Sequence, residues 1–358
     1  MWIRTLRLEQ VRSFATAECA LAPGPNLFIG ANGAGKTTLL EAAFLLSHGR
    51  SFRAGGREAL AARGEDAYRV FAELEHRDGR VHRLGLERSA RGWQARRDGE
   101  RVARLAELFV ECAVVCFEPG SHELISGPAQ ERRAFLDWGV FHVERAFLET
   151  WRRYQRALKQ RNQVLRDRGS DAAVEAWDGE LIRSGESITT MRRAYLDALR
   201  ADFSQIAGEL LPELGEGLLE FEPGYDGALA SALGAARSRD RLRQTTTRGP
   251  HRADWRPSFE RAPLREHLSR GQEKLTALAA VLGQARRYRA SVGEWPVLAL
   301  DDLASELDPA HQSLVLDQLT DPEVQSLITA THLPEWLADR LGHATRFHVE
   351  HGRVERRR

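Results

Sequence analysis

The chain has 358 residues, 42% of them hydrophobic and 29% charged, with a formal net charge of +1. This is an ordinary globular balance, long for one compact core, and it gives no bulk charge that would by itself mark a nucleic-acid partner. No run approaches the ~18 consecutive apolar residues of a membrane helix, and the opening MWIRTLRLEQ has no apolar leader core, so no membrane association is expected.

Within the first thirty residues the pattern turns to that of a nucleotide site. Asn26–Ile29 reads as a short buried strand, Gly30-Ala31-Asn32-Gly33-Ala34-Gly35-Lys36-Thr37 fits G-x-x-x-x-G-K-[ST], and Leu39, Leu40, Ala43 and Phe44 continue as a helix. Strand, glycine loop and helix are the context in which backbone N–H groups and a helix N-terminus cradle phosphates. Lys36 is placed to reach the β- and γ-phosphates of a nucleotide, and Thr37, followed by Thr38, to ligate Mg²⁺. Only three lysines occur (36, 159 and 274), so 52 − 3 leaves 49 arginines. A lysine kept in so arginine-biased a chain marks a place where a compact point charge is required.

Residues 68–104 alternate and carry the hairpin signals Asp78-Gly79 and Asp98-Gly99, which predicts an antiparallel sheet beside the nucleotide core. The apolar run VECAVVCF predicts a buried strand in which Cys112 and Cys116 are packed thiols; with Cys19 the only other cysteine, a reducing cytoplasm is expected.

From about 120 to 240 the spacing is helical. Trp151, Tyr154, Leu158 and Leu165 keep a three–four rhythm, as do Trp177, Leu181, Ile188, Tyr195, Leu199, Phe203 and Leu210, predicting two packed helices joined near residues 168–172. Even ~34 helical residues reach only about 50 Å, which excludes a long coiled-coil arm. Arg152, Arg156, Lys159 and Arg166 form a basic stripe, and residues 150–168 hold seven basic residues against Asp167. A stripe this dense points to a duplex backbone, read by charge and geometry rather than sequence. Arg132, Arg133, Arg192 and Arg193 are further candidates. TTTRGPHRAD (245–254) fits either a loop coupling DNA to the nucleotide or a purely structural turn.

LSRGQEKL (268–275) contains a capping box, Ser269 with Gln272, ahead of a stripe of Leu275, Leu278, Ala279 and Leu282. A capped N-terminus with glycine at its second position is also an anion site. WPVLALDDLASELDPAH then gives a buried strand ending in Asp301-Asp302, where α/β sheets bind ligands. Asp301 is placed to hold Mg²⁺ and Asp302 to polarise the attacking water. SLITATHL predicts another buried strand with His332 at its end, in reach of a γ-phosphate.

The phosphate loop, LSRGQEK, LALDD, SELD and THL occur in the order seen in ATP-binding-cassette ATPases, and LSRGQ resembles their chromosome-maintenance branch. RSFR (50–53), ERRAFLDWGVFHVE (131–144), KQRNQVLR (159–166) and TTTRGPHRAD extend the resemblance over essentially the whole chain to the RecF family of bacterial recombination mediators. It implies an α/β fold: an ABC-type P-loop ATPase head, with a mixed sheet, a flanking antiparallel sheet and helices, plus a short helical lobe built as a hairpin. The expected division is 1–120 and 241–358 for the head and 121–240 for the lobe.

The resemblance also implies that Ser269 and Gly271 contact a nucleotide held by a second copy, that Asp308 crosses the same interface, that His332 is a switch histidine and that Arg12 stands at the nucleotide. ATP-driven homodimerisation would then clamp gapped or single-strand-bearing duplex DNA and promote RecA loading, with RecR and RecO as partners. Asp302 stands where a generic cassette has glutamate, so slow, DNA-stimulated hydrolysis is expected; no glutamine is assigned to the usual interlobe loop, whose place falls near Glu118–His122. The alternatives left open are a membrane transporter's ATPase subunit and an ATP-binding scaffold without turnover.

Overall fold

The computed structural model describes residues 1–53, 60–319, 321–332 and 340–357. In chain order the strands are β1 (Trp2–Val11), β2 (Phe14–Ala20), β3 (Pro25–Ile29), β4 (Tyr68–Glu75), β5 (Val81–Ser89), β6 (Gly92–Arg97), β7 (Glu100–Arg101) and β8 (Val114–Phe117). They continue as β9 (Gly217–Glu222), β10 (Asp254–Phe259), β11 (Val297–Leu300), β12 (Ser326–Ala330), β13 (Thr345–Glu350) and β14 (Arg353–Arg357). The chain divides into two compact units, Met1–Ser121 with Ala285–Arg358, and His122–Gln284.

The first unit holds two six-stranded sheets. One has the order β14-β13-β3-β12-β11-β8 and is parallel except where β14 pairs with β13. Its strands β11 and β12 are buried along their whole length, which is why VLAL and SLITA read as apolar runs with little alternation. The other sheet, β2-β1-β4-β5-β6-β7, is antiparallel throughout. Both expected hairpin signals fall at its turns: Gly79 follows β4 at φ +83°, and Asp98 (φ +53°) and Gly99 (φ +86°) join β6 to β7 in left-handed backbone. Ile3, Leu6 and Leu8 of β1, Val70 and Ala72 of β4, and Leu39 and Leu40 of the helix Lys36–His48 share one buried core.

The second unit contains the helices Ala129–Val143, Phe147–Arg166, Asp171–Leu210 and Leu229–Arg243, and the start of Arg270–Val292. Phe147–Arg166 and Asp171–Leu210 are joined by four residues, and Ser170 caps the second through the Ala173 N–H. Arg161 meets Asp178 and Tyr154 lies over Gly185, the register of an antiparallel pair. The longer helix has 40 residues, about 60 Å, so the lobe is longer than the sequence spacing indicates. Nor is 121–240 wholly helical, since β9 lies within it and pairs antiparallel with β10. The unit runs past 240 to Gln284 because that segment packs on the helices: Phe259 lies 6.2 Å from Phe203, and Arg192 donates to the Pro250 carbonyl. No helix among the described residues is long and apolar enough to cross a membrane.

Candidate nucleotide-binding site

The glycine loop leaves β3 at Gly30, whose N–H donates to the Ala330 carbonyl of β12. A Cβ on Gly30 would fall 2.1 Å from the Val349 carbonyl oxygen, so only glycine lets the loop pass β13. Gly35, at φ +112°, faces the Phe14 ring, 2.7 Å from where its Cβ would be. Ala31, Asn32 and Gly33 are exposed, Ala34 and Thr38 buried. The helix Lys36–His48 starts with no side-chain cap and no acid in its first turn, leaving its N-terminal N–H groups and dipole to an anion.

Lys36 is only 7% exposed. Its ammonium donates to the carbonyls of Gly30 (2.8 Å) and Ala31 (3.0 Å). Burial lowers its pKa, with Asp302 and Asp301 acting in the opposite sense. The Thr37 hydroxyl lies 2.9 Å from both carboxylate oxygens of Asp301. Asp301 is buried at the end of β11, and burial raises its pKa against the hydrogen bonds from Thr329 and Thr37. Asp302 follows in left-handed backbone (φ +53°) and its carboxylate accepts from the Ser305 hydroxyl at 2.9 Å.

Thr329 of β12 ties the two acids together. Its hydroxyl donates to Asp301 (2.7 Å) and accepts the Asp302 N–H (2.8 Å). Sequence patterning missed it because a threonine within a buried strand is also an ordinary strand former. These groups line one cavity of about 530 Å³, together with Arg53, Phe52, Glu118 and Pro119. Glu118 is thus on the cavity wall, where no glutamine was found, and its carboxylate accepts the Gly120 N–H. Arg12 also lines the cavity, but its guanidinium is engaged with buried Glu41, at 2.5 and 2.7 Å. Thr37 and Asp301 offer hard oxygen donors on one side of the loop, the donor set that Mg²⁺ prefers.

Other expected site residues are not among those lining this cavity. The Ser269–Gln272 capping box forms, with Gln272 N–H on the Ser269 hydroxyl (3.3 Å) and Ser269 N–H on the Gln272 amide oxygen (3.0 Å). Ser269, Arg270 and Gly271 are exposed, and nothing lies within 4 Å of a Cβ at Gly271. Asp308 is exposed and caps the helix Pro309–Gln318 through the His311 N–H. His332 is exposed beside Thr331 and does not line the cavity.

On the helix Phe147–Arg166, Arg156, Lys159 and Arg166 are exposed and Arg152 half-buried. Arg152, Arg156 and Lys159 enter no ion pair among the described residues, and Arg166 bonds only to the Gln163 amide. Arg161, counted among the seven basic residues of 150–168, adds nothing to the basic surface. It is fully buried, 2.7 Å from Asp178 and 2.8 Å from Asp240, and donates to Thr246. Arg132 and Arg192 are also withdrawn as DNA candidates, being buried against Asp254 and Asp137. Arg133 donates to the Ala253 carbonyl, whereas Arg193 is exposed over the Phe221 ring. In TTTRGPHRAD, Thr246 accepts from Arg161, Thr247 bonds to Asp240, and His251 sits between the Tyr154 hydroxyl (2.6 Å) and the Thr246 carbonyl (3.0 Å). These contacts give the segment a structural role.

A phosphate loop between β3 and its helix, paired acids ending β11 and a flanking antiparallel sheet define an ATPase head of the ABC and SMC class. The family described as RecF/RecN/SMC N terminal domain matches residues 2–340. The chain belongs to the RecF family: it is 49% identical to the DNA replication and repair protein RecF of Stenotrophomonas maltophilia, over 99% of both chains. It is 48% identical to that of Xanthomonas axonopodis pv. citri and 36% to that of Shewanella denitrificans, each again over 99% of both chains. The structure of the recombination mediator protein RecF-ATP superposes with a TM-score of 0.89 at 25% identity, over 100% of this chain and 98% of that one. An SmcHead bound to the C-winged helix domain of ScpA, at 18% identity and TM-score 0.58 over 100% and 97% of the two chains, shares the fold alone.

Proposed function

We propose that this chain is an ATP-dependent, DNA-binding recombination mediator that works as a homodimer in the cytoplasm, on gapped or single-strand-bearing duplex DNA, and promotes RecA loading with RecR and RecO. The observation that carries the ATP part is the convergence of Lys36, Thr37, Asp301 and Asp302 on one cavity at an uncapped helix N-terminus. The RecF-ATP relative supports the choice of nucleotide.

The loop N–H groups and Lys36 bind and orient the phosphates, with Lys36 exchanging its two loop carbonyls for phosphate oxygens. Thr37 and Asp301 would hold Mg²⁺, which would supply charge neutralisation for the phosphates. Asp302 orients the attacking water, its carboxylate steadied by Ser305 and its backbone by Thr329. An aspartate reaches one methylene less far than glutamate, which supports slow, DNA-stimulated hydrolysis. The exposed Ser269 and Gly271 are available to a nucleotide held by a second copy, with Asp308 and His332 as further contacts and Arg12 positioning the loop through Glu41. Arg152, Arg156, Lys159 and Arg166 supply the phosphate-backbone surface.

The test is ATP binding, phosphate release and light scattering, with and without gapped DNA, for wild type, Lys36→Ala and Asp302→Asn. Lys36→Ala should lose nucleotide binding. Asp302→Asn should bind ATP and dimerise, yet release phosphate about 100-fold more slowly. Unaltered phosphate release from Asp302→Asn would remove the role given to that carboxylate.

A further inference from the structure

Away from the nucleotide cavity, the first unit contains a second group of potential ligands that the proposed function does not use. His76 follows β4, His82 lies in β5, and Glu111 follows the short helix Ala106–Phe109. Their nearest ligand atoms lie within 4.8 Å of one another. One carboxylate oxygen of Glu111 is almost equidistant from the two rings, 4.0 Å from His76 Nε2 and 3.9 Å from His82 Nε2. The other accepts from Arg97 at 2.8 Å.

Two features separate this cluster from an ordinary ion-pair network. Both Nε2 atoms are buried and have no hydrogen-bond partner, and the His76 side chain is only 7% exposed. Leaving buried imidazole nitrogens unsatisfied is costly, and two of them aimed at one carboxylate call for an explanation. In addition, each ring is held from behind. His76 Nδ1 is 2.8 Å from a Glu294 oxygen, and His82 Nδ1 is 2.8 Å from an Asp98 oxygen. A carboxylate on Nδ1 fixes the proton there and turns the Nε2 lone pair outward, the arrangement that surrounds metal-bound histidines. Asp98 is itself anchored, its other oxygen accepting the Arg83 N–H at 2.8 Å.

We propose that His76 Nε2, His82 Nε2 and Glu111 bind one divalent transition-metal ion, with Zn²⁺ the fitting species. Imidazole nitrogen selects Zn²⁺ and its neighbours over Mg²⁺, so this site is distinct in kind from the all-oxygen pair Thr37 and Asp301. Tetrahedral Zn²⁺ with bonds of 2.0–2.1 Å requires ligand atoms about 3.4 Å apart, so the two distances to Glu111 must close by roughly half an ångström and the two Nε2 atoms, within 4.8 Å of each other, by up to about 1.4 Å. The local charge permits this. Glu111, Glu294 and Asp98 give three negative charges against Arg97 and the Met1 amino group 3.1 Å from Glu294. Arg80, nearby, is exposed and paired with Asp78. His82 is 19% exposed although its Nε2 is buried, and a water would supply the fourth ligand. The ion would cross-link the β4–β5 turn to the segment leading into β8.

The full chain, stripped of metal and then freed of chelator, is titrated with Zn²⁺ alone against a chromophoric competitor, with Mg²⁺ in excess to occupy the oxygen site. One Zn²⁺ per chain is expected in wild type, with a Tm raised by a few degrees. His82→Gln and Glu111→Gln should each weaken binding by well over tenfold, and Asp98→Asn by about tenfold through the ring it orients. His351→Gln, at an exposed histidine elsewhere, should bind as wild type does. If the variants fail to fold, Co²⁺ added to wild type decides: intense visible bands of a four-coordinate ion support the site. Stoichiometric Zn²⁺ that survives both ligand substitutions, or that is lost with His351, overturns it, as does a weak octahedral Co²⁺ spectrum.

Discussion

Arg161 and Asp240 are both wholly buried and lie 2.8 Å apart, although they are 79 positions apart in the chain. With Asp178 on the other side of the guanidinium, the pair fastens the helix Phe147–Arg166 to the helix Leu229–Arg243. Replacing Arg161 by alanine leaves the buried Asp240 without its cation, while Asp178 keeps Arg237 at 3.0 Å. A destabilisation of about 3–5 kcal/mol is expected, read as a lower urea midpoint; an unchanged midpoint would show that the pair contributes little.

Charge reversal on the exposed part of the same helix has the opposite profile. Arg152, Arg156 and Lys159 changed together to Glu should leave the urea midpoint nearly unmoved, because none of the three enters an ion pair among the described residues. DNA affinity should drop, and the slope of log K against log salt should flatten by about 2.7, the release of three counterions. A slope equal to wild type would locate the DNA surface elsewhere.

The two glycines of the proposed phosphate contacts should respond differently to alanine. Gly30→Ala forces a methyl to within 2.1 Å of the Val349 carbonyl oxygen, so both loop geometry and nucleotide binding should be lost. Gly271→Ala meets open space and sits in a helix, where alanine is favoured by up to about 1 kcal/mol. A protein at least as stable as wild type, binding ATP normally but dimerising poorly, is expected from light scattering. Normal ATP-dependent dimers would exclude Gly271 from the interface.

Asp301 gives a stability signature with a definite sign. Burial raises its folded-state pKa, so the protonated carboxyl favours the fold, and that stabilisation is lost as pH rises through the folded value. Asp301→Asn should therefore raise the Tm of the nucleotide-free protein at pH 7, with the gain shrinking toward about pH 4 as the wild-type carboxyl regains its proton. The same substitution should weaken Mg²⁺-dependent ATP binding. A lower Tm at pH 7 in calorimetry would contradict the sign.

His251 acts in the other direction. Burial lowers its pKa to about 4, and the neutral ring is held between Tyr154 and the Thr246 carbonyl. The stabilisation is present above the ordinary histidine value and is lost as pH falls from about 6.5 towards 4, by up to about 1.4 kcal/mol per pH unit. In His251→Gln, urea titrations across this window should show a shallower pH dependence, less by up to one proton.

The phosphate loop, the strands β3, β8, β11 and β12, and the hairpin turns of the antiparallel sheet were legible because each combines a local motif with the burial it requires. Strand β1 was not. Its apolar residues Ile3, Leu6, Leu8 and Val11 break strict alternation, since the pairing with β4 shifts between Ile3 and Thr5 and Gln10 adopts left-handed backbone at φ +55°. The burial of Arg161, one of the seven basic residues of 150–168 but not of the stripe, follows its position: 161 continues the series Trp151, Tyr154, Leu158, Leu165 at three–four spacing, on the apolar side of the helix. What no local pattern shows is the company a residue keeps across the fold. Thr329 spanning Asp301 and Asp302, Arg12 on Glu41, and the meeting of His76, His82 and Glu111 are products of topology.

The position of the Lys36 ammonium on two carbonyls of its own loop has one more consequence. Nucleotide entry is then a swap of partners: each phosphate oxygen that reaches the ammonium replaces a carbonyl already there. Affinity for phosphate at this lysine is therefore a difference between two sets of oxygens, settled within one chain before any second copy arrives.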